Sequence, residues 1–252
     1  MQSGQKTSLE ALLNHNLNGT STITIVNQTT DQNVSVIAFD MDGVLIDSAK
    51  SIEASLFDAL ERHDIPIADD FDLKAYVGKP LEELILLASA VPISGSQVGL
   101  CARSYRLIND SISSSELTVY PGVVEMLGLS AELFPLCVLT TKNENSAKRQ
   151  LKMLELSKFF VGIFGNVSDI KHVSKDVRWT EAERELSRDK TVTIPLIVGD
   201  RASDIAAAKQ LGRLSIGVKW GYGSLSELDD ASADRIAERP SAIPSLLQEL
   251  CN

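Results

Sequence analysis

Two short stretches of the 252-residue chain carry carboxylates in positions that could do chemistry: Phe39-Asp40-Met41-Asp42-Gly43 and Val198-Gly199-Asp200-Arg201-Ala202-Ser203-Asp204. Each follows an apolar run of the kind found in strands buried on both faces, so the acids are expected at the carboxyl ends of two strands. In an open α/β sheet that edge is where ligands bind, and Gly43 lets the chain turn away after the first pair. The same D-x-D pattern at Asp70-Phe71-Asp72 has no strand before it and reads as a solvated loop. Four carboxylates converging at one edge would repel one another and raise each other's pKa unless a cation sits among them. A hard divalent ion with oxygen ligands, Mg²⁺ first, resolves that conflict. Asp40, Asp42, Asp200 and Asp204 are therefore the candidate metal set, and the bound ion would turn an acidic edge toward phosphate.

Of the elements that must hold these acids, Val34-Ser35-Val36-Ile37-Ala38-Phe39 reads as the first core strand. Further strands are expected over 136–139, 161–164, 191–198 and 214–218, with helices near 122–133, 145–156, 177–188, 203–211 and 241–250. Alternation of this kind is the pattern of a parallel sheet covered by helices. Residues 49–118 differ: Ile52, Leu56 and Leu60, then Leu81, Leu84 and Ile85, then Leu100, Leu107 and Ile108 stand at helical spacing. The expected architecture is a doubly wound, Rossmann-like α/β core formed by 34–48 and 119–252, with a helical cap, 49–118, inserted after the first strand. Residues 1–33, rich in Asn, Gln, Ser and Thr, form an N-terminal extension of uncertain order.

Composition excludes several classes. Hydrophobic residues make up 44% and charged residues 23%, as in ordinary globular proteins. The net charge of −10, with no stretch that concentrates Lys and Arg, argues against nucleic acid as a partner. The longest apolar run, around Leu84 to Val91, is too short to span a bilayer, so no membrane role is expected. Cys101, Cys137 and Cys251 are odd in number and form no C-x-x-C, which fits reduced thiols and a cytoplasmic location. His15, His63 and His172 are scattered and suggest no zinc site. Trp179 and Trp220 read as packing aromatics. Neither a monomer nor a homodimer is favoured.

In combination, these segments resemble the haloacid dehalogenase superfamily in its phosphatase form. Phe39-Asp40-Met41-Asp42-Gly43-Val44-Leu45-Ile46-Asp47-Ser48 is similar to its first motif, Val138-Leu139-Thr140-Thr141-Lys142 to its second, and Gly199-Asp200 with Asp204 to its fourth. Tyr120-Pro121-Gly122 and Gly217-Val218-Lys219-Trp220-Gly221-Tyr222-Gly223 resemble flanking signatures of the phosphoglycolate phosphatase-like branch. The third motif departs from the pattern. The family has a Lys, usually followed by Pro, some two dozen residues before the Gly-Asp; Lys175 stands at that distance, with Asp176 after it and Lys171 as the fallback.

The resemblance implies a chemistry. Asp40 is the nucleophile toward phosphorus and Asp42 the general acid and base, with Thr140 and Lys175 completing the catalytic set. Gly43, Thr141 and Lys142 are implied as phosphate or substrate contacts. Lys79, in the cap segment Val77-Gly78-Lys79-Pro80-Leu81-Glu82-Glu83, is implied as a contact to a second anionic group. The substrate would be a small phosphorylated metabolite and the cofactor Mg²⁺. Two other readings stand beside this one: a phosphomutase similar to β-phosphoglucomutase, and a non-catalytic binding protein on the same fold.

Overall fold

The structure is a computed structural model that describes residues 12–15, 21–24, 33–112, 114–167, 173–188 and 191–251. Among them, strands β1 (Leu12–His15) and β2 (Ser21–Thr24) form an antiparallel pair within the N-terminal extension. The apolar run around Leu9 falls largely outside the described residues.

The core begins at β3 (Val34–Phe39), followed by the two-residue strand β4 (Ile46–Asp47). Three helices come next, α1 (Ala49–Glu61), α2 (Leu81–Ala88) and α3 (Gly95–Ser111), and then strand β5 (Thr118–Val119). The chain continues as α4 (Val123–Leu133), β6 (Leu136–Asn143), α5 (Glu144–Met153), β7 (Phe160–Asn166) and α6 (Lys175–Leu186). It closes with β8 (Val192–Gly199), α7 (Ala202–Gln210), β9 (Leu214–Val218), α8 (Leu225–Asp230), β10 (Arg235–Ala237) and α9 (Ile243–Cys251).

Six of the strands form one parallel sheet in the order β10-β9-β8-β3-β6-β7. The alternation of side chains along each strand builds a core on each face. Ile37, Phe39, Leu136, Val138 and Val198 pack with residues of α4, α5 and α9 on one side. Val36, Ala38, Cys137, Leu139 and Ile197 pack with Trp179 and Ala182 of α6 and Ala207 and Ala208 of α7 on the other. This is the doubly wound α/β sheet the sequence calls for. Trp179, fully buried, donates its indole N–H to the Ile194 carbonyl at 3.1 Å, so it serves packing.

The strand order puts β3 between β8 and β6, so Asp40, Asp200 and Thr140 leave the sheet side by side at its carboxyl edge. The antiparallel pair β4–β5 stitches together the chain entering and leaving the helical insert. Both strands are two residues long and carry no periodic signal, as is also true of the three-residue edge strand β10.

The insert has an apolar cluster of its own, in which Ile52, Leu56 and Leu60 of α1 meet Ile85 and Ala88 of α2 and Val98, Cys101 and Ala102 of α3. The helical spacing of Leu100, Leu107 and Ile108 falls on α3, whose packed side is Val98, Cys101 and Ala102, while Leu107 is 73% exposed. Small side chains pack here because α1 and α3 lie against each other.

That contrast is measurable. Leu56→Ala should destabilise the protein by about 2–5 kcal/mol, whereas Leu107→Ala should change stability by no more than about 0.5 kcal/mol. Urea midpoints of the two variants check the assignment, and comparable losses would contradict it.

Candidate active site

After β3 the backbone turns sharply. The Asp40 N–H donates to the Val198 carbonyl at 2.9 Å, and the N–H groups of Leu45 and Gly43 donate to Met41 and Ile46 carbonyls, each at 2.9 Å. Gly43 has φ of +90°, and a Cβ there would overlap the Asp200 carboxylate, so both the conformation and the space demand glycine. Gly221 meets the same side chain from the loop after β9, where a Cβ would collide with Asp200. Gly43 thus acts here through the shape of the turn.

Asp40, Asp200 and Asp204 are buried, and one carboxylate oxygen of each lies within 4.8 Å of the others. Lys175 Nζ donates to Asp40 Oδ1 at 2.7 Å and also to Asp204 Oδ1. The Arg201 N–H donates to Asp204 Oδ2 at 3.0 Å, and the Tyr222 N–H to Asp200 Oδ2 at 2.8 Å. Asp200 Oδ1 is buried with no hydrogen-bond partner. Three carboxylates thus face one ammonium group.

Burial, followed by the Asp204 and Asp42 charges, pushes the Asp40 pKa up to about 7 against the pull of Lys175. Burial, with Asp204 and Asp40 close by, likewise holds Asp200 well above the usual carboxylate range. Burial alone would lower the pKa of Lys175, but Asp204 and Asp40 outweigh it and hold the ammonium charged.

The donor set is all oxygen, its charge is in excess, and one buried oxygen lacks a partner. A hard divalent cation fits such a cluster.

Lys175, the lysine the spacing favours, lies against Asp40 and Asp204, while Lys171 lies outside the described residues. Where the family usually has Pro, Asp176 stands in the first turn of α6 and complements the helix dipole.

Asp42 sits at the mouth of the cluster. It accepts from Ser48 Oγ at 2.5 Å and from Lys142 Nζ at 3.2 and 3.3 Å. Lys142, expected to contact phosphate, lines the cavity and pairs with Asp42. Thr140 is buried, and its hydroxyl accepts from the Lys142 N–H at 3.2 Å, which leaves the hydroxyl hydrogen for an acceptor in the cavity.

Thr141 reaches the insert, where Oγ1 donates to the Gly78 carbonyl at 3.4 Å. Lys79 forms an ion pair with Glu83 one turn on, with both side chains well exposed. The pair lies at the rim, where such contacts contribute little to stability.

Over these groups lies a cavity of about 140 Å³, walled by Gly78, Leu81, Tyr105 and Asn109 of the insert and floored by Asp40, Asp42, Thr140 and Lys175. Sequence reasoning gave no role to Ser48, Tyr222 or Arg201. All three lie inside the motif segments, which is the signal the sequence offers for them. The Tyr222 hydroxyl accepts from the Ser48 and Ala49 N–H groups at 2.8 and 3.0 Å, tying the loop after β9 to the start of α1.

A parallel α/β sheet with acids at the ends of two adjacent strands and a helical insert over them defines a hydrolase of the haloacid dehalogenase type. The family model for haloacid dehalogenase-like hydrolases matches residues 37–218, and the chain belongs to that family.

It is 31% identical over 229 residues to a phosphoglycolate phosphatase of Neisseria gonorrhoeae, covering 87% of this chain and 94% of that one. It is 29% identical over 217 residues to the pyrophosphatase PpaX of Bacillus velezensis, covering 84% and 95%. The crystal structure of a predicted phosphatase from Clostridium acetobutylicum superposes with a TM-score of 0.75 at 28% identity, covering 87% of this chain and all of that one.

The orphaned oxygen of Asp200 gives a direct test of the cluster. Removing a divalent cation from the wild-type protein should lower its melting temperature. Asp200→Asn, with one fewer buried charge, should melt no lower than the metal-free wild type and should lose the cation-dependent rise. An unchanged rise in the variant would contradict the cation reading.

Proposed function

We propose that the chain is a Mg²⁺-dependent phosphatase that hydrolyses small phosphate monoesters through an aspartyl-phosphate on Asp40, acting on a phosphorylated metabolite in the cytoplasm. The observation that carries this reading is the placement of Asp40. It is buried, ion-paired with Lys175 and clustered with Asp200 and Asp204, and it lines a small cavity to which Asp42 also contributes. Residues 49–118 would serve as the cap, which excludes water from that cavity.

Asp40 attacks phosphorus, forming one P–O bond as the bond to the leaving alkoxide breaks, and the alkoxide takes its proton from Asp42. Water then attacks the acyl phosphate and gives a proton to the Asp42 carboxylate, which releases inorganic phosphate and restores the Asp40 carboxylate and the protonated Asp42. Ser48 and Lys142 fix the orientation of Asp42 for both steps. Thr140 donates its hydroxyl to a phosphoryl oxygen, and Lys175 pairs with the nucleophile and the phosphoryl group. Mg²⁺, held by Asp40, Asp200 and the Asp42 carbonyl with Asp204 behind them, would neutralise phosphoryl charge.

The relatives act on different leaving groups by their names, a glycolate ester in one case and pyrophosphate in the other, so a shared family leaves the substrate to the cavity.

A phosphate-release assay with Mg²⁺ over phosphoglycolate, sugar phosphates and nucleoside monophosphates should find turnover. Asp40→Asn should abolish it with the fold intact by circular dichroism. Asp42→Asn should lower kcat by about 10²–10⁴-fold. Near-normal rates in Asp40→Asn would contradict the mechanism. Accumulation of an isomeric sugar phosphate in place of free phosphate would indicate the phosphomutase reading, and inactivity on every ester would indicate a binding protein.

A further inference from the structure

The segment Val77–Pro80 of the insert has open space on both sides. One side is the cavity of about 140 Å³ above Asp40. The other is an open groove of about 450 Å³ bounded by α7 and the start of α6. Gly78, Lys79 and Pro80 line both spaces, as do Thr141 and Arg201. The segment is therefore a partition, and whatever pins it decides whether the two spaces are one.

The main pin is Arg201, in the loop between Asp200 and Asp204. Its Nη1 and Nη2 donate to the Lys74 and Ala75 carbonyls of the insert, each at 3.0 Å, and its Nε donates to Glu227 Oε1 at 2.9 Å. Glu227 Oε1 is fixed in turn by the Ala202 N–H at 2.8 Å. A planar guanidinium can satisfy three acceptors in this way; an ammonium group on a flexible stem does not reproduce the fork.

The other tie across the partition, Thr141 to the Gly78 carbonyl, is long at 3.4 Å. Lys79 pairs with Glu83, within the insert. Gly78 itself has φ of +97°, a turn that keeps the partition close to the Arg201 stem.

We propose that Arg201 is a positioning residue that sets substrate size: by pinning the partition through Lys74 and Ala75, it closes the leaving-group cavity off from the neighbouring groove and restricts turnover to compact phosphate esters. The inference rests on the phosphatase reading. A leaving group larger than the cavity must push the partition outward and break the paired Arg201–carbonyl bonds. Without the guanidinium the cavity joins the groove, and the larger leaving group has room. The side chain can be changed without loss of the backbone N–H that Arg201 gives to Asp204, so the carboxylate cluster is preserved.

The test compares kcat/KM of the Mg²⁺-loaded enzyme for ethyl phosphate and 2-naphthyl phosphate. Arg201→Ala is measured together with Arg201→Lys, which keeps the charge and the stem should the alanine variant fail to fold. The account expects the naphthyl-to-ethyl ratio to rise by about tenfold in Arg201→Ala, chiefly through KM, and by less in Arg201→Lys. Amide hydrogen exchange across 73–80 should quicken in step. Wild-type turnover with an unchanged ratio in both variants would overturn the role of Arg201 and leave the phosphatase reading standing. A wild-type enzyme that hydrolyses neither ester nor any other monoester would overturn both.

Discussion

Three buried carboxylates set against one buried ammonium group are the constraint on which the rest of the molecule turns. Each ionised acid taken from water costs several kcal/mol after relaxation, and a single lysine offsets only part of it. The fold meets that cost with backbone: the Tyr222 N–H on Asp200, the Arg201 N–H on Asp204, and glycines at 43 and 221 that let main chain approach where a Cβ would collide. What is left is an excess of negative charge and one oxygen without a partner. Such a cluster is poorly satisfied alone and well satisfied by a divalent cation.

The sheet supplies the geometry. Because β3 lies between β6 and β8, three strand ends deliver Asp40, Thr140 and Asp200 to one place without any loop having to reach far. The insert is placed from both its ends. The β4–β5 pair joins its entry and exit, and core helix α5 caps the end of α3: Arg149 donates to the Asn109 and Ile112 carbonyls at 2.6 and 3.0 Å, and Ser146 to Asp110 at 2.8 Å. A cation at a helix C-terminus satisfies carbonyls that have no partner within the helix and complements its dipole. Arg201 reaches the insert from the carboxylate loop and donates to the Lys74 and Ala75 carbonyls.

Much of this was legible in the sequence because the signal is local. Val34–Phe39 is apolar at nearly every position, as a strand covered on both faces must be, and Asp40 and Asp200 stand at its end and at the end of its neighbour. Lys175 was legible only through spacing, since the Pro that usually marks it is absent and its partners lie 135 and 29 residues away. The Asp42–Lys142 pair spans 100 residues, and nothing in either segment announces it. Arg201 was illegible for another reason: its targets are the carbonyls of Lys74 and Ala75, and main-chain acceptors leave no trace in residue type. Leu107 shows that hydrophobicity at helical spacing marks a helix but does not by itself say which stripe is packed.

The claim that joins the acidic cluster to function is that phosphorus is transferred to Asp40. Acid quenching of the Mg²⁺-loaded enzyme during turnover, followed by borohydride reduction and peptide mapping, would convert an aspartyl-phosphate to homoserine at the position that carried it. The account predicts homoserine at position 40 and at no other acidic residue. Phosphate release with the label at another position, or with none at 40, would contradict it.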